Sequence, residues 1–135
     1  MPVIERRRFP RLAFNVEVEY KVLEAEATEA LASYSKDISA VGICIILLDK
    51  VDKGTLLDLK FFLPDLDGTI FAQGRVVWIE EFVVGDMKTG KAFEAGIEFT
   101  KLDDVDQETI KQFVMEKIMQ RISENPVPRK PTNPC

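Results

Sequence analysis

The chain has 135 residues, enough for one domain with its own core and too few for two of full size. It is 46% hydrophobic and 30% charged, with a formal net charge of −5, so it can bury a core without disulfides or metal and exerts little long-range pull on a polyanion. It contains no histidine. That removes the commonest general base, the commonest metal ligand and every Ser-His or Cys-His nucleophile pair, and the composition points to a binder rather than an enzyme. The two cysteines, Cys44 in an apolar run and Cys135 in a polar tail, do not look like a disulfide framework and suit a reducing compartment. No stretch approaches the roughly 18 apolar residues of a membrane span. No apolar signal region precedes the arginines at position 6. The cytoplasm is the expected location, without membrane insertion.

Residues 1–11 read as a flexible charged arm, in which Arg6, Arg7, Arg8 and Arg11 crowd into six positions beside Pro2 and Pro10. From Leu12 the pattern alternates. Leu12, Phe14, Val16, Val18, Tyr20 and Val22 are apolar, against polar Asn15, Glu17, Glu19 and Lys21. A period of two marks a strand with one wet face. A weaker strand is expected over 29–36. Residues 42–48 form a continuous β-branched apolar run, the mark of a strand buried on both faces. Turn composition follows at 49–54, then a strand over 56–63 and hairpin chemistry at 64–68, where proline, aspartate and glycine suit turn dihedrals. Strands are predicted over 69–81 and 91–100, joined by a loop over 82–90. Six short strands separated by turn signals suggest a small barrel or sandwich.

The period then changes. Asp104 is a candidate helix cap with Gln107 as its reciprocal partner, and Ile110, Phe113, Val114, Ile118 and Ile122 recur at helical spacing. One face of a helix near 104–123 is therefore expected to pack on the barrel. Four prolines in the polar segment 124–135 predict disorder there. The domain proper is expected to span 12–123.

Two segments carry chemistry. Arg7 and Arg11 form an Arg-x-x-x-Arg pair in an arm that Pro10 keeps extended. A guanidinium fork can bond a phosphate, or the O6/N7 edge of a guanine, through two donors at once. A solvated basic tail is the plainer reading. Asp37-Ile38-Ser39-Ala40-Val41-Gly42 sets a carboxylate, a hydroxyl and a glycine at short spacing. The carboxylate can accept from N1–H and N2–H₂ of guanine, Ser39 can donate to a phosphate or cap a turn, and Gly42 permits unusual backbone or a close ligand approach. An Asx- or Ser-type turn between strands explains the same residues without a ligand. Asp65-Leu66-Asp67-Gly68 lacks the glutamate of a calcium loop, and the acidic residues at 103–106 suit a helix start, so no metal site is expected.

The ordered pair of motifs, Arg7–Arg11 followed by Asp37–Gly42, resembles the signature of PilZ domains, bacterial receptors for cyclic di-GMP. Gly74-Arg75-Val76-Val77-Trp78 and Gly96-Ile97-Glu98-Phe99 also look like strands of that family, and the resemblance runs from about 5 to 123. It implies an all-β fold with a C-terminal helix, a six-stranded antiparallel barrel with the arm folded across one side. It implies that Arg7 and Arg11 hold phosphates and a guanine edge, that Asp37 and Ser39 hold the other guanine, that Gly42 shapes the loop, and that Arg8 adds a contact. Trp78 is read as core or barrel wall, with ring stacking as the alternative. The implied function is a non-enzymatic receptor that takes cyclic di-GMP, needs no cofactor, binds no nucleic acid and signals to a protein partner. A PilZ-like module working through protein contacts alone is the alternative.

Overall fold

The computed structural model describes residues 10–23, 29–64, 68–83 and 91–124. Seven strands and one helix follow in order: β1 Leu12–Ala13, β2 Glu17–Val22, β3 Leu31–Ile38, β4 Gly42–Leu47, β5 Leu56–Phe62, β6 Ile70–Val83, β7 Lys91–Lys101 and α1 Asp104–Glu124. The expected arm through Phe9 and the expected tail from 125 lie outside the described residues, as do residues 84–90 of the expected loop. The sheet runs β3-β2-β5-β6-β7-β4, and β4 pairs back onto β3. Every pairing is antiparallel, so six strands close a barrel with no free edge.

The first alternating run is two strands rather than one. β1 and β2 lie end to end along β3, with Leu12 opposite Ile38 and Glu17 opposite Tyr34. The buried hydroxyl of Ser35 fills the break: Val16 N–H donates to it at 2.8 Å, and it donates to the Phe14 carbonyl at 2.6 Å. A side chain from the partner strand thus adds to the main-chain bonds of Phe14 and Val16 with β3, and every buried polar side-chain atom among the described residues has a partner. The weaker strand, expected over 29–36, starts two residues later and continues through Asp37 and Ile38. β4 is buried on both faces as its apolar run predicts. Gly54 and Gly68 take φ of 92° and 112°, the left-handed region that favours glycine; residues 65–67 of the expected hairpin turn lie outside the described residues.

The interior is filled by inward-facing aliphatics from all strands, with Phe61, Ile45 and Leu57 fully buried. α1 covers one end through Ile110, Phe113 and Val114, each worth about 1.5–3 kcal/mol of burial. Ile118 is partly buried, but Ile122 is 63% exposed, against the expectation from spacing alone. Successive four-residue steps drift round the helix, so Ile122 falls on the exposed flank with Met115 and Met119, while Arg121 in the same turn still reaches the barrel. Gln107 does not form the expected reciprocal cap. Its N–H donates to the Asp103 carbonyl at 2.9 Å, which makes Asp103 the cap residue, and its side chain reaches Ala40 instead. No helix among the described residues is long and apolar enough to cross a membrane.

Candidate ligand-binding groove

Asp37 sits on a strand. It pairs with Ala13 of β1 on one side and Cys44 of β4 on the other, just past a register shift in β3 between Ser35 and Asp37. Among the described residues its carboxylate makes no backbone hydrogen bond, so it is not the Asx turn former. Ser39 fills that role. Its N–H donates to the Gly42 carbonyl at 2.9 Å, and Val41 N–H donates to its hydroxyl at 3.2 Å. The residue is buried, with its hydroxyl inside the turn. Gly42 has no positive φ. Its need is space, because a Cβ there would stand 2.5 Å from the Ile97 carbonyl oxygen. Gly42→Ala is therefore expected to open the β4–β7 pairing and to lose about 1–3 kcal/mol of stability, the cost of overpacking. Urea denaturation measures it, and an unchanged midpoint would contradict the close approach.

The sheet carries Asp37 into a lateral row. Asp37 is opposite Cys44, Cys44 opposite Gly96, and Gly96 opposite Trp78. Two small residues thus form a floor between a carboxylate and an indole. An open groove of about 310 Å³ runs over this floor, lined also by Arg11, Val77 and Glu98. That volume lies at the low end of small-ligand sites, about 300–1,000 Å³. Trp78 reaches the groove through a register shift in β6 between Val76 and Trp78. Val76 faces the core, and strict alternation would send Trp78 inward too. The extra residue turns it outward, where it is 39% exposed. Its indole lies on the Gly96 backbone, and a Cβ at Gly96 would stand 2.1 Å from Trp78 Nε1.

Arg11 crosses the mouth of the groove. Its Nη1 is 3.5 Å from Asp37 Oδ1, with the side chains 42% and 27% exposed. A pair this wet contributes little to stability, at most about 1 kcal/mol. It does bring the arginine of the first motif to the carboxylate of the second. Arg75 Nη2 approaches Glu98 at 3.7 Å and offsets the other carboxylate of the groove. Lys36 pairs with Glu94 on β7, and that bond raises the lysine's pKa.

Cys44 belongs to the floor but is buried. Burial, reinforced by Asp37 and Glu94, pushes its thiol up to about 12. The nucleophilic thiolate is then scarce at any physiological pH. In a Cys135→Ser variant the native protein is expected to resist Ellman's reagent at pH 8 and to react only when unfolded. Rapid native labelling would refute the burial argument.

Of the six site residues read from the sequence, Arg11 and Gly42 line this groove, Asp37 stands at its edge, paired with Arg11 and opposite the floor residue Cys44, and Ser39 lies in the turn that follows Asp37. Arg7 and Arg8 lie outside the described residues. Sequence reasoning missed Gly96, Glu98 and the outward turn of Trp78, because each depends on cross-strand register.

The PilZ domain profile matches residues 5–116. No curated protein matches the chain by sequence. Among solved structures the chain is similar to the inhibitor of motility MotI/DgrA of Bacillus subtilis, with a TM-score of 0.70 and 24% identity over 87% of this chain and 54% of that one. It is similar to the PilZ domain of YcgR from Escherichia coli with c-di-GMP, at a TM-score of 0.66 and 15% identity over 91% of this chain and 100% of that one. A third likeness is to the MrkH–c-di-GMP complex of K. pneumonia, at 0.70 and 18% over 91% and 57%. The chain spans about half the length of MotI and MrkH and the whole of the YcgR domain. With a profile match over most of its length and a closed six-stranded antiparallel barrel ending in a helix, the chain belongs to the PilZ domain family.

Proposed function

We propose that this domain is a receptor for cyclic di-GMP that binds across the groove between Arg11 and Trp78. The observation that carries the reading is the meeting of Arg11 and Asp37, 3.5 Å apart, over a floor of small residues. A phosphate needs a guanidinium and a guanine edge needs a carboxylate, and both stand at one mouth. The YcgR and MrkH structures that hold c-di-GMP share the fold, which supports the same ligand here. In this reading Arg7 and Arg11 take phosphate oxygens and a guanine edge, with Arg8 as an added contact. Asp37 takes N1–H and N2–H₂ of a guanine. Ser39 shapes the turn that presents it, and Gly42 seats that turn against β7. Trp78 offers a ring wall on the far side.

The domain acts by binding, in the cytoplasm, without a cofactor or catalysis. Occupancy orders the arm that leads up to Arg11, which its pair with Asp37 already holds at the groove, and the changed surface then meets a protein partner. Isothermal calorimetry with cyclic di-GMP, GTP and short oligonucleotides tests the reading, with Trp78, the chain's one tryptophan, as a fluorescent reporter. Saturable binding of cyclic di-GMP alone is expected; oligonucleotide binding would overturn it.

One observation favours a second reading, a protein-interaction module that works without nucleotide. Met115, Met119 and Ile122 form an exposed apolar stripe on one flank of α1. A calorimetric blank with cyclic di-GMP would promote that reading.

A further inference from the structure

The helix touches both motifs from behind. Gln107 Nε2 donates to the Ala40 carbonyl at 3.1 Å, inside the turn that joins Asp37 to Gly42. About four turns further along the same face, Arg121 Nη2 donates to the Ala13 carbonyl at 2.8 Å. Ala13 is the register partner of Asp37 and stands two residues after Arg11. Arg121 also stacks over the Phe14 ring at 5.9 Å, and Phe14 packs edge-on against Phe113 of the same helix at 5.5 Å. β1 is only two residues long, so its ladder alone is a weak hold on Arg11. The helix is a rigid element that can supply what the ladder does not.

We propose that Gln107 and Arg121 are positioning residues for the nucleotide site, with α1 as a brace that fixes Asp37 and Arg11 relative to each other. Neither side chain lines the groove. Gln107 fixes the turn that follows Asp37. Arg121 fixes the strand that carries Arg11 out over the groove. Free to move, Arg11 would spread over many poses, and a ligand would have to order it at an entropic cost to affinity. The inference rests on the cyclic di-GMP reading above. Because coupling is reciprocal, ligand binding must in turn tighten the contact of α1 with Ala13 and Phe14.

The test is a double-mutant cycle on the full chain, read by cyclic di-GMP affinity and thermal melting. Arg121→Ala is expected to weaken binding roughly 3- to 10-fold, within the range of couplings through packed elements. In an Arg11→Ala background, Arg121→Ala should change affinity by less than about 2-fold, because the group it positions is gone. Its effect on the melting temperature should be the same in both backgrounds. Gln107→Ala should couple in the same way to Asp37→Ala. Arg121→Lys keeps a donor for the carbonyl and should recover part of the loss. Additive affinity losses in the two backgrounds, or wild-type affinity in Arg121→Ala, would overturn the brace while leaving the receptor reading intact. Absence of any cyclic di-GMP binding by the unmodified chain would instead remove the reading beneath it.

Discussion

Arg11→Ala is expected to cost about 2–3 kcal/mol of cyclic di-GMP affinity, the scale of hydrogen bonds to charged groups. That is roughly 30- to 150-fold by calorimetry. The fold should survive. Arg11 is part-exposed, and its pair with Asp37 is a wet surface contact of small stabilising value. Two opposing effects act on the ligand. Removing the guanidinium deletes the phosphate clamp, and it also releases Asp37 from competition. The first dominates, because a bidentate arginine–phosphate contact exceeds an exposed ion pair at 3.5 Å. Arg11→Lys should bind nearly as poorly, since a point charge cannot reproduce a planar fork. Arg7→Ala is expected to lose a similar amount. Wild-type affinity in both alanine variants would leave the phosphate-clamp argument without support.

The barrel was legible in the sequence because a strand with one wet face writes its period directly into the residue order. β2 and β5 follow that alternation. Where the alternation breaks, the cause is non-local. At the gap between β1 and β2, Ser35 on another strand takes up the Val16 N–H and the Phe14 carbonyl with its hydroxyl. Helical spacing identified α1 but misplaced Ile122, because four-residue steps drift round the helix and carry it from the packed face to the flank, while Arg121 beside it still touches the barrel. Gln107 was read as a local cap because its long-range partner, Ala40, lies 67 residues away.

The site divides along the same line. Asp37, Ser39 and Gly42 fall within six residues and announce themselves as a motif. The opposite wall does not. Gly96 and Trp78 enter the groove only through the pairing of β6 with β7, and Trp78 only because a register shift reverses its direction. No short-range pattern encodes that reversal. The outward position of small residues at Gly42, Cys44 and Gly96 was the available signal. A row of small side chains across neighbouring strands leaves a trough, and a lone aromatic at its end closes it.

Asp37→Asn separates guanine recognition from turn formation and from charge. Asparagine keeps one acceptor but turns an amide donor toward the two guanine donors. One bond is lost and one repulsive contact is made. The loss should approach that of Asp37→Ala, about 2 kcal/mol or roughly 30-fold. Charge alone predicts a different result. If Asp37 mattered only as the counter-ion of Arg11, its removal would free the guanidinium and raise affinity for a phosphodiester. Turn formation predicts a third result, since asparagine makes Asx turns as well as aspartate and would bind normally. The strand position of Asp37 already argues against that, because its main chain is held by β1 and β4 whichever side chain it carries. The melting temperature should therefore stay near wild type while affinity falls. Cyclic di-AMP, which lacks the paired N1–H and N2–H₂ donors, should bind the wild type weakly, and its affinity should differ by no more than a few-fold between the wild type and the Asp37→Asn variant. An Asp37→Asn protein that binds cyclic di-GMP as tightly as the wild type would show that the carboxylate does not read the base.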